Sequence, residues 1–206
     1  MSVKGEPCIL YGELYTTYKT AIAKNIKSKT DLNPKTLFHS KKNDVIIPCS
    51  GETAEDIATS VCVPYDDILL GGDLTVIRSN LDGAFLSNQL NSVRKYDIAR
   101  IAQGKSIVHL QADELGKIKI AFPSIEEQRK ISGFIDLIDD RIAVQNKIIK
   151  HRKSLIFSLA IEILLSLLSL IESALSLNVF SFFNNLLKLL WTIFKEVKRL
   201  WSQKKA

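Results

Sequence analysis

A chain of 206 residues with 46% hydrophobic content can hold one sizeable domain plus an extension, and is too apolar to be disordered. Its net charge of +6 points to an anionic partner, but the charge is unevenly placed: eight lysines against three acids over 1–42, no base against seven acids over 43–77, and seven bases against four acids over 78–121. That near-neutral balance excludes a uniformly basic nucleic-acid domain and leaves room only for local basic patches. Cys8, Cys49 and Cys62 lack zinc-ligand spacing and read as reduced, structural thiols. With no apolar run at the N-terminus, a cytoplasmic location is expected.

In chain order, the aromatic stretch Ile9–Tyr18 predicts a strand running into a loop at Gly12. Ile22 and Ile26 at helical spacing among Lys19, Lys24, Lys27 and Lys29 predict a short helix over Thr20–Ser28 with a basic outer face. That face suits phosphate contacts and suits plain solvation equally well. Val45–Pro48 reads as a buried strand ended by proline, Ser50–Thr53 as a polar turn, and Ile57–Val63, Ile68–Leu70 and Leu74–Ile77 as further strands. Phe85–Ile101 returns to helical spacing. Strands at Ile107–Leu110 and Ile118–Phe122 would complete an α+β domain with a mixed or largely antiparallel sheet.

Pro123, Ser124 and Glu127 then form a capping box that opens a long helix. Ile131, Ile135, Ile138, Ile142, Ile149 and Ile156 keep to one seam at alternating spacings of four and three, interrupted by Gln145 and Arg152. Such a seam wants a partner helix, and its polar breaks would select register. Catalytic signatures are not found. Gly104-Lys105-Ser106 lacks the upstream glycine of a phosphate-binding loop, and His39, His109 and His151 stand singly. Glu52, Glu55 and Asp56 read as a charged turn rather than a metal site.

The helix start, with Pro123, Glu127, Gln128, Lys130 and Ile131, resembles the helical spacer of the specificity subunit of type I restriction-modification enzymes. In the same order, Tyr11–Thr16, Asp44–Thr53, Gly71–Leu74, Phe85–Ser87 and Ala102–Leu110 resemble blocks of that subunit's target recognition domain. The resemblance implies a recognition domain over 1–122, a coiled-coil spacer over 123–159 and a tail over 160–206 that matches nothing in the family. Since intact subunits carry two recognition domains and two spacers, it implies a half subunit or a fragment. It further implies a non-catalytic, sequence-specific DNA-binding subunit with double-stranded DNA as ligand. Methyltransferase and restriction subunits would be its partners, with a homodimer or a second half-specificity chain completing it. No cofactor is expected in this chain; S-adenosylmethionine, ATP and Mg would belong to the partner subunits. Lys19, Lys24, Lys27 and Lys29 are then candidates for phosphate contacts, and Ser50, Glu52, Thr53, Lys105 and Ser106 for loops at the DNA face.

Ile161–Ala206 is too leucine-rich for one narrow seam. Its longest uncharged run, 173–187, falls short of a bilayer span, and Glu162, Glu172 and Lys188 weigh against one. A soluble helical hairpin on the spacer is the expectation. The alternative is a non-DNA scaffold or membrane-associated protein anchored by this tail, whose basic end could rest on a membrane surface.

Overall fold

The computed structural model describes residues 4–104, 107–175 and 180–202. Along them run β1 (Glu6–Ile9), α1 (Glu13–Thr16), β2 (Ser28–Thr30), a 3-10 turn (Pro34–Thr36), β3 (Phe38–His39), β4 (Asp44–Pro48), β5 (Ser50–Gly51), α2 (Ala54–Ile57), β6 (Val61–Val63), β7 (Leu69–Leu70) and β8 (Leu74–Ile77). There follow α3 (Gly83–Asn91), α4 (Lys95–Ile101), β9 (Val108–His109), α5 (Ala112–Leu115), α6 (Ile125–Leu175) and α7 (Phe180–Ser202). The chain divides into two compact units, Met1–Asp140 and Arg141–Ala206.

In the first unit β4 is buried along its whole length, its apolar run Val45–Pro48 following a buried Asp44. Val45 and Ile47 point into a core made with Ile57, Leu86, Leu90 and Ile98 from α2, α3 and α4. Ile46, on the opposite face, joins Ile9, Leu14, Val61, Val63 and Leu70 in a second core. The central strand thus has a core on each side. It pairs antiparallel with β6 and β8, while β2-β1-β7-β3 form a second sheet in which β1 and β7 are parallel. The fold is α+β with mixed pairing, as expected.

Several local expectations fail for identifiable reasons. No helix forms over Thr20–Ser28, because Ala21 and Ala23 give their backbone groups to Cys62 (2.7 and 2.9 Å), a parallel bridge that outweighs helical spacing. The stretch after Ile9 turns into α1 instead of extending: the Glu13 carboxylate accepts from the Leu10 amide (2.9 Å) and from Ser28 Oγ (2.5 Å) and holds the turn closed. Thr53 caps α2 where a turn entering a strand was expected, so β6 starts only at Val61. The single helix over Phe85–Ile101 is two, because the Asn91 side chain binds both backbone groups of Ser60 (2.7 and 2.8 Å) and the chain breaks after it. Ile118 and Ile120 pack against the core without forming a strand.

The α3 entrance depends on one glycine. A Cβ on Gly83 would stand 2.5 Å from the Asn43 carbonyl oxygen, while its amide donates to Asn43 Oδ1 (2.6 Å).

Candidate nucleic-acid interface

Ser50 lies in β5, whose partner strand is β9. Just before β9 the chain closes on itself through a bridge between Gln103 and His109 (2.9 and 2.7 Å). Gly104 within that closure has φ +148°, where a Cβ would collide with the Ile107 carbonyl; here the glycine is a steric necessity. Lys105 and Ser106 belong to this loop by sequence and lie outside the described residues. The structure therefore brings the segment carrying Ser50 and the segment flanking Lys105 and Ser106 to one sheet edge, although they are far apart in sequence.

The side chains at that edge are partly committed. Ser50 Oγ donates to Asp73 Oδ2. Thr53 accepts from the Asp56 amide (3.1 Å) and donates to its carboxylate (2.7 Å), so it is occupied as a helix cap. Glu52 is exposed. Tyr15 joins the group: partial burial raises its phenol pKa, and Tyr11, Glu52, Asp56 and Asp73 add to the rise. Among the described residues the edge is acidic and aromatic rather than basic.

The four candidate lysines have different surroundings. Lys19 donates to the Tyr15 carbonyl (3.0 Å) and lines a cleft of about 300 Å³ with Thr59, Asn88, Asn91, Lys95 and Asp139. Lys27 and Lys29 are exposed, Lys29 on β2. Lys24 has a different role. Its ammonium sits 2.7 Å from Asp136 and 2.6 Å from Asp140 on α6, and the Tyr65 hydroxyl donates to its carbonyl (2.7 Å). Burial works against the ammonium, but these two carboxylates outweigh it and raise its pKa. The nearby Asp139 carboxyl is pushed up by burial and by Asp136.

The start of α6 is held more firmly still. Ser124 and Glu127 make the expected capping box, with Ser124 Oγ donating to the Glu127 carboxylate (2.8 Å) and the Glu127 amide to Ser124 Oγ (3.4 Å). Gln128 is 2% exposed: its Nε2 donates to the Pro123 carbonyl (2.8 Å) and its Oε1 accepts from the Asp82 amide (3.0 Å). Asp82 is itself the N-cap of α3, accepting from Phe85 (2.9 Å). One buried amide thus ties the first turn of α6 to the start of α3.

Sequence reasoning placed Gln128 in a motif but missed this role, and missed Asp136 and Asp140 altogether. The available signal was an amide inside a capped first turn, followed by two acids four residues apart on one helix face. The face of α6 turned to the domain carries Gln128, Ser132, Asp136 and Asp139, and the isoleucine seam is rotated from it, meeting it only at Ile135. Ile131, Ile138, Ile142, Ile149 and Ile156 are between 42% and 55% exposed.

Buried among the first unit's polar groups is Asp44, 1% exposed and gripped by Arg78 through two bonds (2.7 and 2.6 Å) and by the Lys41 amide (2.8 Å). Burial alone would raise its pKa, but these donors lower it on balance. Cys62 is pushed up to about 12 by burial, with Asp82 and Asp44 adding to it. Among the described residues no group of three or more His, Cys, Asp or Glu side chains could hold a metal ion.

The described residues thus form a mixed α+β domain that ends in a capped helix tied to it by Gln128 and Lys24. Residues 8–151 match the type I restriction modification DNA specificity domain family, and the chain belongs to that family. Among solved structures, it is similar to the crystal structure of the type I restriction-modification system S subunit from M. genitalium, at 21% identity and a TM-score of 0.45. The match covers 83% of this chain and 44% of that one, so this chain spans less than half of its length. No curated protein matches.

Proposed function

We propose that this chain reads one half of an interrupted DNA target as a specificity protein of a type I restriction-modification system in the cytoplasm, and that the methylation and cleavage chemistry belongs to partner subunits. The observation that carries this reading is the family match over residues 8–151, which runs through the α+β domain and into the helix that leaves it. In this reading the edge formed by β5, β9 and the loop between Gln103 and His109 faces the bases. Exposed Glu52 would accept from a base amino group, and Lys105 and Ser106, in the same loop by sequence, would add a cation and a hydroxyl. Lys27 and Lys29, and Lys19 beside Lys95 at the cleft, would meet phosphates.

The isoleucine seam of α6 serves as the surface for a second spacer helix or for methyltransferase and restriction subunits. Two copies related by a two-fold axis would present two identical half-sites in inverted orientation. A second partial specificity chain would give an asymmetric target instead. A salt-titrated DNA-binding assay tests the reading. Lys27→Gln with Lys29→Gln should weaken binding to all sequences alike and lower the salt slope by roughly 2. A wild-type chain that shows no salt-dependent affinity for duplex DNA contradicts it.

A further inference from the structure

The second unit presents a surface that the DNA-reading role does not use. In α6 an 18-residue window with mean hydropathy 2.4 and at most two charged residues is long and apolar enough, by length and composition, to cross a membrane, and 6% of it is buried. The uncharged run counted in the sequence understated this, because a single Glu162 separates two leucine-rich stretches without making them polar. At 1.5 Å per residue the window measures roughly 27 Å, close to the hydrocarbon thickness of a bilayer of about 30 Å.

The direction of the apolar side chains decides what can cover them. At 100° per residue, Leu159, Ile163 and Leu170 point one way and Ile161, Leu165 and Leu168 nearly the opposite way, and all six are exposed. A second helix covers one seam; only a solvent that is apolar on most sides covers this. The one narrow polar stripe, Ser158, Glu162, Ser166 and Ser169, has hydroxyls returned to the helix: Ser166 Oγ donates to the Glu162 carbonyl (2.9 Å) and Ser169 Oγ to that of Ser166 (2.8 Å).

Helix α7 adds a charge signature. At 100° per residue Leu187, Trp191 and Phe194 share one flank and Lys188 and Lys195 lie about 90° beyond it, with Arg199 on the same side paired to Glu196 (3.0 Å). Trp191 stacks on Phe194 at 6.0 Å, and the Lys195 ammonium lies 5.6 Å from the Trp191 ring centre. Aromatic rings beside cations at the edge of an apolar helix suit the headgroup level of a bilayer.

We propose that the C-terminal unit inserts into an anionic lipid bilayer, with the apolar stretch of α6 embedded and the basic flank of α7 against the headgroups. The residues involved are separate from those assigned to DNA, so either reading can fail without the other. Flotation of the full chain with vesicles tests it, and both tryptophans of the protein lie in this unit, which makes their emission a reporter. Against vesicles of phosphatidylcholine with 30% phosphatidylglycerol, the chain should float and its emission shift to the blue. The chain bound should be about tenfold less on pure phosphatidylcholine and should fall as salt rises. The double change Lys188→Gln, Lys195→Gln should lower binding to anionic vesicles about tenfold or more while circular dichroism stays unchanged. Absence of flotation with either vesicle overturns the proposal. So does a soluble oligomer whose tryptophan emission is already blue and does not respond to vesicles, because a second copy would then cover the surface.

Discussion

The two compact units of this chain solve opposite problems. In the first, apolar side chains face two internal cores and the buried charge of Asp44 has three donors. Its helix is tied down by Gln128 and Lys24. In the second, the window of greatest hydropathy is almost wholly uncovered. A domain that satisfies its own groups can be altered only at a cost in stability, whereas a surface that faces outwards can be altered at a cost in association. That difference separates what the molecule is from what it is prepared to meet.

The contrast can be broken most forcefully at Asp44. Asp44→Ala removes three charge-assisted hydrogen bonds from a buried site and should cost about 3 kcal/mol, read as a shifted urea midpoint with unchanged slope. Gln128→Ala strands the Asp82 amide and should cost about 1–3 kcal/mol, chiefly by loosening the first turn of α6. Hydrogen exchange confined to α3 and the start of α6 would show this, and uniform loosening across the domain would argue against a local lock.

Acid should act through the same buried carboxylate. The folded pKa of Asp44 lies below its ordinary 3.8, so its stabilisation is complete above that value and is lost as the pH falls below it toward the folded pKa. In Asp44→Asn, urea titrations should show a flatter acid limb than in the wild type.

Lys24 distinguishes latch from phosphate contact. Lys24→Gln should cost only about 0.2–1 kcal/mol, since the pair is partly exposed, and should leave the DNA salt slope unchanged. A slope lowered by about 1 would return Lys24 to the DNA face. The smallest effect on stability belongs to the seam: Ile138→Asp with Ile142→Asp should move the isolated chain by no more than about 0.5 kcal/mol, since both side chains are exposed, yet abolish assembly with a partner helix or subunit. Assembly that survives the double change contradicts the seam.

Much of the frame was legible in the sequence because it rests on local chemistry. The run Val45–Pro48 has one good place, a strand buried on both faces, and Ser124 with Glu127 states where α6 begins. What escaped was set by partners distant in sequence: the pairing of Ala21 and Ala23 with Cys62 overrode the spacing of Ile22 and Ile26, and Asn91 bound to Ser60 split one helix into two. The basic stretch looked like one face only because a helix was assumed there. Without it, Lys24 turns to Asp136 and Asp140 while Lys27 and Lys29 stay exposed. At the candidate edge, Ser50–Thr53 read as a polar turn, whereas Ser50 and Gly51 form β5 by pairing with β9, a partner far away in sequence that no local signal announces.

The most direct test of DNA recognition is to sequence methylated adenines in a host that carries this chain as its sole specificity protein together with intact methyltransferase subunits. A palindromic, interrupted methylated site is the predicted result, two copies each reading one half. Absence of site-specific methylation, with the partner subunits shown to be active beside an intact specificity protein, would contradict the account.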